Sequence, residues 1–473
     1  MTDSKKQDSL VYFILYPAIA MLLGWGLRGF IGGGPFAAMI PGVYVALGFS
    51  LLFRHSLKTA AIVAIFGAIG IGYGGDMTYG QTLGLAREPE TMFWGFLGCA
   101  IKGGVWGLLG GAVMAVGLTR HHYQKKDILI ALLITIVGFY LGWKLINEPK
   151  LIYFSDPINK PRDESWAGLL FAAIGFIAYL RMKVSDATKN VPLSFALWGA
   201  LGGAIGFAGG TIWLVFGPYL PVPKNSVGWW KFMEFSFGLL LGAFLGLSAY
   251  RNRVVLRAAK PAPENSDRDT PWPAIALALW VSFVFAAQPQ WVSLIENLDP
   301  ATNPVVKYLA MDFTRVATSF IFFGAVCLVF GLASTNAAWQ GAITLTFFHT
   351  MVDILRDLAP GNTSFGYALS PPLLIAILFA SNALVAYATV KFLRGDQPLR
   401  NLYLLIIWSC MAVATWRSFG KSSFWVDKEG QAYGFAAFFA QHSSELITYA
   451  IFLASALITT YWTTKLAREV KTT

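Results

Sequence analysis

An ionisable side chain inside an apolar run is costly in lipid and marks a functional site by default. Two glycine-rich apolar segments between Gly67 and Arg120 carry one acid and one base of this kind, Asp76 and Lys102. Lys102 sits about eight residues inside its run, about 12 Å deep at 1.5 Å per residue. A lysine stem covers only part of that distance by snorkelling. Lys102 is therefore expected to pair with Asp76 or to bind an anionic ligand. Asp76 stands where a glycine-rich helix ends, in GGDMTYGQ. Tyr79 and Gln81 beside it supply neutral donors and acceptors of the kind a sugar or carboxylate site uses. Arg28 adds a further cation. His349, Asp353 and Arg356 recur at i, i+4 and i+7 and share one helical face. That face reads either as part of the same site or as a self-neutralised salt-bridge stripe. His442 and Glu445 could join His349 and Asp353 around a metal, but the pattern is weak, and no metal or other cofactor is expected. There is no Walker A, GxSxG, HExxH or CxxC pattern, which argues against an ATP-driven pump and the common hydrolases.

These side chains must be positioned by membrane-spanning elements. The chain has 473 residues, 56% hydrophobic and 13% charged, with a mean hydropathy of +0.56. A soluble surface needs about 25% charged residues, so lipid must cover this one. A net charge of +11 reads as basic cytoplasmic loops rather than as a nucleic-acid site. Cys99, Cys327 and Cys410 lie within apolar runs and form no disulfide or metal motif. Met1–Leu10 is polar and charged and the first apolar run lacks a leader's small-residue cleavage site, so that run reads as a span. A span takes about 20 apolar residues.

About fourteen stretches qualify, near 10–28, 35–53, 57–75, 94–118, 127–146, 165–181, 192–216, 229–250, 271–288, 312–333, 339–357, 371–393, 401–416 and 441–464. Arg54 and Lys58, Arg120 and Lys125, Arg181 and Lys183, Arg251 and Arg257, and Lys391 and Arg400 lie on alternate connections. By the positive-inside rule both termini face the cytoplasm of an inner (plasma) membrane. Most other charges then fall in the outer halves of spans, as an outward-facing polar vestibule would require. GFIGGGPF at 29–36 allows either a re-entrant segment or an ordinary turn.

Spans four apart resemble each other. LGWGLRG at 23–29 matches LGWKLIN at 141–147, and ALGFSLLFR at 46–54 matches AIGFIAYLR at 173–181. GAIGIGYGG at 67–75 matches GAIGFAGG at 203–210, and GLLGGAVMAVG at 107–117 matches GLLLGAFLGLS at 238–248. The expected fold is an all-α integral membrane protein with tandem parallel four-helix repeats, one of the transporter arrangements. Its parts are repeat A (1–122), repeat B (123–253), a polar linker (254–270), a possible eroded third repeat (271–396) and two final helices (397–473).

The segments Gly24–Gly29, Ala38–Gly42, Gly74–Gln81 and Trp94–Gly111 resemble a family of bacterial multi-spanning membrane proteins of no assigned activity. The resemblance covers about the first 120 residues. That family often carries a His-Glu pair where this chain has Gly33-Gly34-Pro35, so any role of that pair does not transfer.

The expected function is transport of a small polar solute, anionic or sugar-like. Arg28, Asp76, Tyr79, Gln81, Lys102, His349, Asp353 and Arg356 would line its site. The alternative is a membrane enzyme with an outward-facing active site, such as a transferase using a lipid-linked donor. The partners are the lipid bilayer and the solute, with no nucleic acid. Lys102→Met is expected to remove ligand binding without unfolding the protein.

Overall fold

Backbone N–H and C=O groups in lipid must pair within the chain, and long apolar runs meet that demand as α-helices. The computed structural model describes residues 9–159, 161–223, 226–258, 272–297 and 303–471. Among them the structure is helical, with one isolated β-bridge, Val426 to Ala432. The elements are α1 (Leu10–Ile31), α2 (Gly34–Leu52), α3 (Leu57–Gly74), the short α4 (Gly80–Leu85), α5 (Met92–Leu118), α6 (Lys125–Asn147), α7 (Trp166–Arg181), α8 (Val191–Phe216) and α9 (Trp229–Arg251). Then follow α10 (Arg253–Ala258), α11 (Trp272–Glu296), α12 (Pro304–Thr318), α13 (Phe320–Ala333), α14 (335–357), α15 (Pro371–Leu393), α16 (Pro398–Phe419) and α17 (Phe435–Lys471). The expected linker at 254–270 lies mostly outside the described residues.

Among the described residues ten helices are long and apolar enough to cross a bilayer, and twelve if each of two bent pairs counts as one span. The chain is thus a multi-pass helical membrane protein, with ten to twelve candidate spans among the described residues set against the fourteen expected. Stretch 165–181 falls on α7, which has only 16 residues. Stretch 339–357 falls on α14, which contains a π turn at Gln340–Thr344. The expected span 312–333 is two helices, α12 and α13, meeting at 49°. Ser319 between them is extended (φ −69°, ψ 150°), which ends one helix and starts the next.

α2 and α3 form the centre and are buried along most of their length. Small residues decide how closely their neighbours approach, because lipid supplies no hydrophobic drive between helices. α9 lays Gly238, Gly242 and Gly246 on the backbone of α1, where added Cβ atoms would lie 2.6, 2.5 and 2.0 Å from the carbonyls of Met21, Pro17 and Phe13. α5 and α8 meet glycine to glycine, Gly103 on Gly203 and Gly107 on Gly199. The run at 29–36 is an ordinary tight turn: α1 ends at Ile31 and α2 begins at Gly34. Gly34 has φ +75°, a conformation glycine adopts without strain.

The basic connections gather at one end. There Phe13 packs on Phe53 and Tyr250, and Lys465 donates to the Tyr12 hydroxyl. The candidate residues gather at the other end.

Candidate functional site

Lys102 projects from the middle of α5 and does not pair with Asp76. Its Nζ lies 2.8 Å from Glu164 Oε1, with both side chains buried. It also donates to the carbonyl of Thr78 at 2.6 Å and to Thr82 Oγ1 at 2.8 Å. Three acceptors match the three ammonium hydrogens. Glu164 is equally engaged: Ser155 Oγ donates to Oε1 at 2.8 Å and the Phe154 amide to Oε2 at 3.1 Å. The pair therefore pins the loop before α7 to the segment 78–82. Gln81 serves the same loop, its Oε1 accepting from the Asp156 amide at 3.2 Å. Of the two expected roles of Lys102, the pairing with Asp76 is thus replaced by one with Glu164.

Arg28, near the end of α1, is buried. It donates to the Tyr79 hydroxyl and lies over the rings of Trp25, Tyr79 and Trp106 at 5.6, 5.3 and 5.2 Å. A weakly hydrated guanidinium suits such an aromatic cage. Beside it, the buried Glu234 of α9 accepts from Trp230 Nε1 at 2.9 Å and pairs with Lys231 at 2.6 Å.

The α1–α2 turn is held by charges from several helices. Glu234 occupies the space a Cβ on Gly29 would take, 1.8 Å from that position, and Asp353 of α14 does the same at Gly32, at 1.6 Å. Arg417 of α16 donates to the Ile31 carbonyl at 2.5 Å and pairs with Asp357 at 2.7 Å. The stripe on α14 is only partly buried: His349 stacks on Phe36 at 5.1 Å, Asp353 bonds Arg356 at 3.3 Å, and the Arg356 side chain is 71% exposed. Gly33 and Gly34 have nothing within 4 Å of a built Cβ. The turn is thus walled by charge on two sides and open on one.

Asp76 lies in the turn after α3, and its own carbonyl accepts from Ser165 Oγ at 2.9 Å. Its Oδ2 is buried without a donor. Burial pushes its carboxyl up from 3.8 to about 7, against the opposing pull of Arg315 and of the Phe320 and Ile321 amides at the start of α13. The folded protein therefore resists ionising Asp76, and this part of its stability is lost as pH rises through about 7. Asp76→Asn removes the charge and keeps an acceptor. It is expected to stabilise the protein by about 2 kcal/mol at pH 8, with the gain shrinking towards pH 5. Thermal unfolding of wild type and variant at the two pH values checks this. A variant less stable than wild type at both would make Asp76 a structural acceptor of charge-assisted bonds.

The structure thus brings Arg28 to Tyr79, and His349 and Arg356 to Asp353. It draws Lys102 and Gln81 into the neighbouring loop and sets Asp76 beside α13. Glu164 and Ser155 were missed by sequence reasoning. The available signal was an acid just before an apolar run, at the same outer level as a buried lysine. No group of three or more His, Cys, Asp or Glu residues that could hold a metal occurs among the described residues. His442 faces Glu445 across one turn at 3.4 Å and is ringed by Phe424, Phe438 and Tyr433. Between Trp25, Tyr79, Trp106, Phe207, Met233 and Phe237 the space is too tight for a water molecule. The chain matches no protein-family model, no curated protein and no solved structure.

Proposed function

We propose that this protein is a secondary transporter for a small anionic or sugar-like solute, which binds from outside at the α1–α2 turn. One observation carries the reading: Glu234, Asp353 and Arg417, from three helices, converge on one glycine turn at the head of α2. Charges held this way are expensive in a membrane and mark substrate or ion pathways. In this reading the amides at the start of α2 meet the solute, with Arg28 and Tyr79 packed behind the turn. Asp353 or Asp76 couples a proton or sodium ion, with His349 beside Asp353. Lys102 and Gln81 hold the adjoining wall, and Arg356 attracts the solute at the rim.

The same reading places both termini in the cytoplasm and takes 10–120 and 127–251 as tandem units. Two pairs of equivalent helices pack alike, which supports it, α1 on α2 as α6 on α7 and α3 on α5 as α8 on α9, although α2 packs closely on α3 where α7 only grazes α8.

The test is solid-supported-membrane electrophysiology on proteoliposomes, with a panel of sugars, amino acids and small organic acids. At least one solute is expected to evoke a transient current, reduced about tenfold or more in Asp353→Asn, the size of a lost coupling of 1–3 kcal/mol. Currents that are absent for the whole panel, or unchanged in Asp353→Asn, would refute the reading.

A further inference from the structure

α15 is the least buried of the candidate spans among the described residues. Between it, α16 and α14 lies a cavity of about 660 Å³, within the range of about 300–1,000 Å³ typical of ligand pockets. Leu384 and Trp408 of its lining are exposed, so it opens sideways to the bilayer. Its α16 wall runs from Asn401 to Trp416, about 22 Å at 1.5 Å per residue. Phe347 and Met351 of α14 form its floor. Ser381 and Ser409 turn their hydroxyls back on the carbonyls of Leu378 and Ile406 of their own helices, at 3.1 and 3.3 Å. An occupant therefore meets an apolar wall along the groove and one amide, Asn401, at the basic end.

Shape selects among apolar occupants. Over its length the cavity is about 30 Å² in section, whereas a helix about 10–12 Å across covers about 80 Å² or more. A single chain fits, and a helix of a second copy does not. From the basic end, a groove of about 22 Å also crosses the midplane of a hydrocarbon core about 30 Å thick. Phospholipid tails end near that midplane, and a longer isoprenoid chain continues past it. Small residues (Ala388, Ser409 and Ala412) alternate with large ones (Leu384, Trp408 and Trp416) along the walls, which leaves recesses for methyl branches. At the basic end the α15–α16 connection carries Lys391, Arg394 and Arg400 against one acid, Asp396. Basic segments at a membrane surface attract acidic headgroups. We propose that the groove holds the chain of a polyprenyl phosphate, with the phosphate at the α15–α16 connection. The proposal is independent of the solute and stands whether or not the protein is a transporter.

The test is native mass spectrometry of the intact chain released from phosphatidylcholine nanodiscs that carry equal amounts of undecaprenyl phosphate and phosphatidylglycerol. Wild type is expected to retain one undecaprenyl phosphate in preference to phosphatidylglycerol by roughly tenfold. Ala412→Trp fills the groove from an exposed position and is expected to bring the ratio to parity. Ala383→Trp, exposed on α15 but outside the lining, is expected to keep it. If Ala412→Trp fails to fold, Ser409→Leu is read in its place. Equal retention of the two lipids by wild type, or a preference unchanged by filling the groove, would overturn the proposal. Retention of uncharged undecaprenol as strongly as of the phosphate would overturn it by removing the phosphate from the basic end. A dimer that Ala412→Trp disrupts would overturn it and assign the groove to a second copy.

Discussion

Gly107→Ala is expected to abolish folded protein, while Gly104→Ala, three residues earlier on the same helix, is expected to leave it intact or slightly stabler. The chemistry of the two changes is identical. A Cβ on Gly107 would lie 1.8 Å from the Gly199 carbonyl oxygen of α8, and one on Gly104 no nearer than 3.5 Å to any atom. The first contact is with backbone, which cannot rotate away as a side chain can. α5 and α8 would have to separate along a seam where a Cβ on any of Gly103, Gly107, Gly199 and Gly203 would lie 2.3 Å or less from a carbonyl oxygen of the other helix. Interiors pack too tightly to absorb this locally. The loss is expected to exceed about 4 kcal/mol, which few single substitutions reach and which is a large share of a typical stability. At Gly104 the exchange instead gains helix propensity, up to about 1 kcal/mol. Size-exclusion chromatography of the detergent-solubilised variants reads both at once. A monodisperse Gly107→Ala protein with wild-type thermal stability would mean that α5 and α8 do not meet at this seam.

Lys102→Met is expected to destabilise by about 3–5 kcal/mol, because removing one partner of a buried pair leaves the other charge uncompensated. Glu164 would keep Ser155 and the Phe154 amide but lose its cation. The Thr78 carbonyl and Thr82 hydroxyl would also lose a donor. Replacing both partners with apolar residues of similar volume is far milder. The double variant Lys102→Met/Glu164→Met is therefore expected to recover most of the lost stability. Thermal unfolding of the two single variants and the double variant closes the cycle. A Lys102→Met protein that melts with wild type but no longer binds a transported solute would return Lys102 to the ligand site.

The helices were legible because lipid makes the rule simple: an apolar run of sufficient length must be helical. α1, α2, α3, α5, α8 and α9 lie close to their expected bounds. A run was less legible where it continues past a break in the backbone. At 312–333 apolar character continues across Ser319, and only an extended backbone there reveals the bend. The site was legible as types but not as partners. Arg28, Asp76 and Lys102 announce themselves because charge in an apolar run is rare. Glu164 and Asp163 sit in the polar loop DPINKPRDESW, where an acid is unremarkable, and only the fold brings Glu164 to Lys102 and Asp163 to Arg315. The α1–α2 turn was hidden for another reason. Its glycines look like flexibility in the sequence, whereas in the fold Gly29 and Gly32 are small because Glu234 and Asp353 fill the space beside them.

The central claim is that the α1–α2 turn opens to the outside. Gly33→Cys tests it most directly, since a Cβ there meets nothing within 4 Å and the native Cys99, Cys327 and Cys410 are buried. Labelling of intact cells with a membrane-impermeant maleimide is expected to modify this variant and not the wild type, and a transported solute is expected to slow the reaction. A cysteine at position 33 that reacts only in inverted vesicles, or in neither preparation, would contradict the account.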